Sequence, residues 1–125
     1  MDIQRIRSEV LQATTKFALV EIHPTNDGDV FVKAGLQTSA GNMYIAAINF
    51  EDYPSRMPAV FISKPALRSD SPHCYRAGNI CYLHPSMWNP GLHNLTFVLG
   101  RIAKWLNKYD IWCVKHRWPG AEVKH

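Results

Sequence analysis

The segment Ser71-Pro72-His73-Cys74-Tyr75-Arg76-Ala77-Gly78-Asn79-Ile80-Cys81-Tyr82-Leu83, with Trp88-Asn89-Pro90 close behind, decides how the chain is read. It sets Cys81 in an irregular stretch that carries glycine and proline. A Pro-His pair stands upstream and a Trp-x-Pro downstream. A thiol held on a shaped loop, rather than packed in a periodic element, is placed for chemistry. Little of such a thiol is ionised near neutral pH, yet the thiolate is intrinsically very nucleophilic.

The irregular stretch runs from Lys64 to Asn94 and holds Pro65, Pro72, Pro85, Pro90, Gly78 and Gly91. Loops of that length are uncommon inside compact domains and are usually functional. Periodic sequence flanks it on both sides. Upstream, Ile3, Ile6, Val10, Ala13 and Phe17 recur at steps of three and four, with Asp2 as a candidate N-cap, so an amphipathic helix is expected over residues 2–15. Strands are expected over Lys16–Ile22, Val30–Leu36, Met43–Phe50 and Ala59–Ser63. Asn26-Asp27-Gly28 and Ala40-Gly41-Asn42 mark turns, and Tyr53-Pro54 and Met57-Pro58 punctuate the entry to the fourth strand. Short connections between consecutive strands imply an antiparallel meander. Downstream, Leu95, Val98, Leu99, Ile102, Leu106 and Tyr109 form the stripe of a second helix, with Asn94 as N-cap. From Trp112 to His125 little periodicity is visible. Helix, meander, long loop, helix is an α+β order, in which the helices cover one face of the sheet.

A chain of 125 residues with 46% hydrophobic and 19% charged residues suits one folded domain with one core. No apolar run approaches the roughly 20 residues that span a bilayer. The opening Met1-Asp2-Ile3-Gln4-Arg5-Ile6-Arg7 lacks the apolar centre of a signal peptide, so a cytoplasmic location without membrane association is expected. The net charge is +4. That excess is mild, and Lys and Arg are scattered rather than clustered, which argues against nucleic acid as the main ligand. Three cysteines, Cys74, Cys81 and Cys113, are too few and too odd in number for a disulfide scaffold.

No Asp or Glu lies between Cys81 and Lys104 to complete a local Cys-His-Asp arrangement. A nearly unperturbed thiol suits a partner that brings an already activated acyl group, above all a thioester, because thiol-for-thiol exchange needs little assistance. The tetrahedral oxyanion of such a reaction requires a positioned hydrogen-bond donor. His73 is the best local candidate, ahead of Asn79 and His84. Pro72 stiffens the backbone that aims His73, and Gly78 permits the turn that brings it back toward Cys81.

With these residues in view, the chain resembles the ubiquitin-conjugating enzyme family. Tyr53-Pro54-Ser55-Arg56-Met57-Pro58 is similar to the family's Tyr-Pro-x-x-x-Pro turn. Gly78-Asn79-Ile80-Cys81 is similar to its cysteine motif, and Trp88-Asn89-Pro90 to its Trp-x-Pro. The resemblance covers about residues 2–110. The flap reads Ser71-Pro72-His73 where the family has His-Pro-Asn, so His73 stands at the asparagine position. The short form with Trp118-Pro119-Gly120 is more similar to bacterial members from antiphage and ubiquitin-like modification operons. The resemblance implies a single UBC-like conjugating domain over residues 1–125, with Cys81 as the thioester-bearing nucleophile and His73 as catalytic partner. It implies that Asn79, His84, Trp88 and Pro90 form the flap and wall of the site, and that Arg5 and Arg7 on the first helix dock an activating enzyme. Its partners would be a ubiquitin-like protein or a nucleotidyltransferase with a glycine-like C-terminal tail, an ATP-dependent activating enzyme and an acceptor protein. No metal or organic cofactor is called for.

Two other readings stand beside this one. A UBC-like module can bind a ubiquitin-like partner without chemistry. Alternatively, Cys81-x-x-His84 and Cys113-x-x-His116 offer two thiolates and two imidazoles, a set that tetrahedral zinc accepts.

Overall fold

In the computed structural model, which describes residues 1–120, Asp2 caps the first helix, α1 (Ile3–Ala13), its carboxylate accepting from the Arg5 amide at 3.0 Å. The helix buries Ile6, Glu9, Val10 and Ala13. Four strands follow: β1 (Leu19–Pro24), β2 (Val30–Gln37), β3 (Met43–Asn49) and β4 (Ala59–Lys64). They form one antiparallel sheet in the order β1-β2-β3-β4, the expected meander.

Alternation places the sheet. Val30, Val32, Ala34 and Leu36 of β2 are buried, as are Tyr44, Ala46 and Ile48 of β3, and the intervening residues are more open. The register sets Val32 opposite Ile48 and Ile48 opposite Val60, so one face is continuously apolar. Against it lies the second helix, α2 (Leu95–Lys115), which buries Leu95, Val98, Leu99, Ile102, Trp105 and Leu106. Each fully buried Leu or Ile contributes about 1.5–3 kcal/mol relative to an exposed one. Asn94 caps α2 by accepting from the Phe97 amide at 2.9 Å.

Two elements, β1 and α2, differ most from expectation at their ends. The first strand starts at Leu19 rather than Lys16, because the chain is still leaving α1. The Lys16 and Phe17 amides both donate to the Ala13 carbonyl. The strand continues through Pro24, which the missing N–H permits because β1 is an edge strand. The second helix does not stop near Tyr109. Trp112 sits three residues past Tyr109 and seven past Trp105, so it extends the same stripe, and the helix runs six residues beyond Tyr109, through Lys115, to a His116 cap with φ 58°. Residues 121–125 of the expected tail lie outside the described residues. No helix among the described residues is long and apolar enough to cross a membrane.

Candidate active site on the loop between β4 and α2

The long loop is not featureless. Cys74 and Ile80 form an antiparallel bridge, so residues 73–81 are a small hairpin. The Tyr75 amide donates to the Asn79 carbonyl at 2.8 Å and the Gly78 amide to the Tyr75 carbonyl at 2.9 Å. Gly78 closes this turn at φ 96°. A Cβ there would meet open space, so the backbone angle alone selects glycine.

The hairpin is anchored on several sides. The Ile80 amide donates to Val60 of β4 at 2.9 Å, and the Tyr82 hydroxyl donates to the Pro58 carbonyl at 2.6 Å. Arg101 of α2 donates through Nε to the Tyr82 carbonyl at 3.0 Å. The Cys81 amide donates to the His73 carbonyl at 2.8 Å. Cys81 is therefore held by backbone bonds before any side-chain contact is considered.

Hairpin parity sorts the side chains. Opposed residues of an antiparallel pair share a face, and faces alternate along each strand. Ile80 is 1% exposed and Cys74 packs against the core, so that face looks inward. His73, Tyr75, Asn79 and Cys81 share the other face.

Three sequence expectations are corrected here. First, Cys81 is not an open thiol. It is only 7% exposed, in a run of buried residues with Ile80, Tyr82 and Leu83. Burial pushes its pKa above the ordinary 9.0, and proximity to Cys74 adds to that, while a hydrogen bond from Tyr75 opposes both. Second, Arg5 is not a free cation on the helix face but is engaged within the fold, with its side chain 30% exposed. Its Nε pairs with Glu9 at 2.5 Å, and its guanidinium donates to the Pro90 and His93 carbonyls at 2.9 and 3.0 Å. It also lies over the Tyr53 ring. Third, the zinc set does not assemble. Among the described residues no group of three or more His, Cys, Asp or Glu side chains is placed to hold a metal ion.

The remaining expected residues fall into two places. His73 and Asn79 lie in the hairpin beside Cys81. The His73 ring packs against Trp118 at 4.7 Å between centroids, and Trp118 in turn meets Trp105 of α2 at 5.2 Å. His84 caps the short 3-10 turn Pro85–Met87, its Nδ1 accepting from the Ser86 amide at 3.2 Å. Trp88 and Pro90 are tied to the other end of the fold. The Trp88 indole donates to the Pro54 carbonyl at 2.8 Å, and the Pro90 carbonyl receives Arg5. Arg7 is exposed on α1.

Sequence reasoning missed three participants. Glu9 is 6% exposed and joins α1 to the Tyr53 turn and to α2. Its carboxylate accepts from the Tyr53 hydroxyl at 2.5 Å and from the Leu95 amide at 2.8 Å. Burial and this bond push the Tyr53 hydroxyl well above its ordinary range. Trp118 covers the His73 ring. Tyr75 shares the hairpin face of Cys81, and one signal for it existed: a turn at Arg76-Ala77-Gly78 puts residues 75 and 81 on one face.

A helix, a four-stranded antiparallel meander, a cysteine hairpin and a helix across the sheet define a UBC-like, E2-type domain. The chain belongs to the Type II CBASS E2 protein family, whose model matches residues 8–125, and is thus a bacterial antiphage E2-like protein. Among solved structures it is similar to one described as a complex of the Vps23 UEV with ubiquitin. That match has a TM-score of 0.60 at 16% identity and covers 96% of this chain and 86% of the other. At that identity it speaks for the fold. Among curated proteins nothing matches.

Proposed function

We propose that residues 1–125 act as one conjugating domain, which accepts an activated protein C-terminus as a thioester on Cys81 and passes it to an amine. The observation that carries this reading is the placement of Cys81 on an anchored hairpin, on the face opposite Cys74 and Ile80, its amide fixed by the His73 carbonyl at 2.8 Å. Family membership supports an E2-like role in antiphage defence.

The Cys81 thiolate attacks the carbonyl carbon of the incoming thioester. A sulfur–carbon bond forms, and the carbonyl oxygen takes up the negative charge. When the carbonyl re-forms, the bond to the donor sulfur breaks and that sulfur leaves as a thiolate. An amine of the acceptor then attacks the same carbon, loses a proton to solvent, and releases the Cys81 thiolate. The partners are a ubiquitin-like protein or a nucleotidyltransferase with a glycine-like tail, an activating enzyme that consumes ATP, and the acceptor. Exposed Arg7 is the docking cation that α1 offers. His73 acts chiefly through its backbone, and Asn79 closes the turn behind it. His84 shapes the exit of the flap, and Trp88 and Pro90 brace the far wall. The reaction is placed in the cytoplasm.

The test mixes the protein with an activating enzyme, ATP and the modifier. A reductant-sensitive adduct is expected, with a reductant-stable ester for Cys81→Ser and nothing for Cys81→Ala. An adduct that survives Cys81→Ala ends the proposal.

The low exposure of Cys81 and its raised pKa favour one second reading, a module that binds a ubiquitin-like protein without chemistry. The similar solved structure is a complex with ubiquitin. Under that reading the modifier binds with equal affinity to the wild type and to Cys81→Ala, and no thioester forms.

A further inference from the structure

Charge divides unevenly along the chain. Between Ser71 and Gly120 stand six Lys or Arg residues and a single carboxylate, Asp110, which is buried and accepts from the Tyr44 hydroxyl. Arg101, Lys104, Lys108 and Lys115 of α2 follow one another at steps of three, four and seven, so they share one face of the helix. Lys104 and Lys115 are exposed, and Arg101 and Lys108 are half-buried. Among the described residues the ion pairs are made by Arg5, Arg56 and Arg68, and no carboxylate neutralises the row on α2. Partial burial lowers the Lys108 pKa, and the charges of Lys104 and Arg101 lower it further, as befits neighbouring cations. The row borders the cysteine hairpin at two points. Its Arg101 end donates to the Tyr82 carbonyl, one residue past Cys81, at 3.0 Å. Further along, Trp118 lies on the His73 ring, and a Cβ on Gly120 would come within 3.4 Å of the Lys108 ammonium nitrogen, so residues 118–120 run from the hairpin to the row.

We propose that this cationic row on α2 docks an acidic segment of the partner polypeptide, in the residues just ahead of the C-terminus that Cys81 carries. This rests on the thioester reading above. Lys104 stands about 5 Å and Lys108 about 10 Å beyond Arg101 along the helix axis. An extended chain covers about 3.3–3.6 Å per residue, so carboxylates about three or four residues ahead of the tail's end meet both lysines. Each exposed ion pair is weak by itself. A tail tethered at Cys81 is confined beside the row, however, so weak pairs act at high effective concentration. Like charge repels a basic tail, and the row thereby sorts partners as well as holding them. A peptide fits better than nucleic acid. The four cations form a single line about 20 Å long, next to the residue that carries a polypeptide end. Nucleic-acid sites bring more phosphate contacts together over a wider face.

The experiment uses the full chain and two synthetic peptides of equal length that end in glycine. One carries a run of glutamates about four residues ahead of its end, and the other carries glutamines there. Fluorescence anisotropy reads binding of the free-acid peptides. Intact mass reads charging of Cys81 by the same peptides made as thioesters, with no activating enzyme present. The glutamate peptide is expected to bind about tenfold more tightly and to charge Cys81 about tenfold faster at low salt, an advantage that high salt removes. Lys104→Glu combined with Lys108→Glu is expected to abolish the advantage. Lys16→Glu combined with Lys64→Glu, an equal change of net charge on exposed residues elsewhere, is expected to keep it. The comparison of the two peptides on the wild type reads the proposal even if a variant folds poorly. Equal binding of both peptides, or an equal loss in the two double variants, overturns it. So does tighter binding of a short DNA duplex than of the glutamate peptide. A dimer in sedimentation that Lys104→Glu with Lys108→Glu dissolves also overturns it, because the row then meets a second copy. Glutamate-selective binding without charging of Cys81 by either peptide refutes the conjugation reading alone. Charging at equal rates by peptides that bind equally refutes this proposal alone.

Discussion

The Cys81 amide donates to the His73 carbonyl at 2.8 Å, and His73 holds that carbonyl in place with a left-handed backbone at φ 57°. A non-glycine residue pays about 1–2 kcal/mol for such a conformation. The hairpin tolerates it because Ile80, Tyr82 and Trp118 fix the chain around it.

That geometry separates two roles for His73. Loss of an oxyanion donor costs about 10²–10³-fold in rate. A residue that works through its carbonyl can lose its side chain at far smaller cost, provided that the replacement accepts φ 57°. His73→Gly is therefore expected to form the Cys81 adduct at a rate within about tenfold of the wild type, well short of the oxyanion-donor loss. His73→Val, β-branched at a positive φ, is expected to lower stability by about 2 kcal/mol and to slow the adduct as the hairpin loosens. Adduct formation over time and urea unfolding of both variants check this. A hundredfold loss in a well-folded His73→Gly protein would assign the chemistry to the imidazole instead.

Arg5 and Arg7, two residues apart on α1, make opposite predictions. Arg5 is bound to Glu9 and to two carbonyls of the loop ahead of α2. Glu9 itself is 6% exposed and accepts from three partners. Removing one member of a buried pair costs about 3–5 kcal/mol. The half-open arginine end lowers the expectation for this pair to about 3 kcal/mol for Glu9→Ala. Arg5→Ala is expected to cost about 1–2 kcal/mol and Arg7→Ala less than about 0.5 kcal/mol. Urea titration reads all three. Equal stability of the two arginine variants would show that the Arg5 network holds little.

Much of the fold could be read from the chain because its signals are local. The period-two runs of Val30–Leu36 and Met43–Asn49 need only a neighbouring strand, and the caps Asp2 and Asn94 act within three residues. The misplaced ends have local explanations too. Phe17 looks like a strand residue but closes the exit of α1, and Trp112 looks like the start of a tail but continues the α2 stripe. What was hidden depends on distant partners. The carbonyls that occupy Arg5 lie 85 and 88 residues away. The shelter over Cys81 depends on how the hairpin seats against β4 and α2, through Ile80 on Val60 and Tyr82 under Arg101. A motif locates the cysteine in sequence, but only the fold determines how much water reaches it.

The sheltered thiols also give stability a pH dependence of definite sign. Burial raises Cys81 above the ordinary 9.0 and raises Cys74 as well. Between the unfolded and folded values, the native state keeps protons that the unfolded chain has lost. Stability therefore falls as pH rises through that window, by at most about 1.4 kcal/mol per unit for each retained proton. Below the unfolded value, the full contribution is present. Urea unfolding under reductant is expected to be level from about pH 7 to 8 and to weaken above about pH 8.5. Buried Tyr44, Tyr53 and Tyr82, all raised by desolvation, add to the decline only above about pH 10. Cys81→Ser is expected to flatten the slope between about pH 8.5 and 10, and Cys74→Ser to flatten it further. A wild-type protein equally stable across that interval would mean that the sulfur of Cys81 ionises as freely in the fold as in the open chain. The shelter that the fold gives Cys81 would then be wrong.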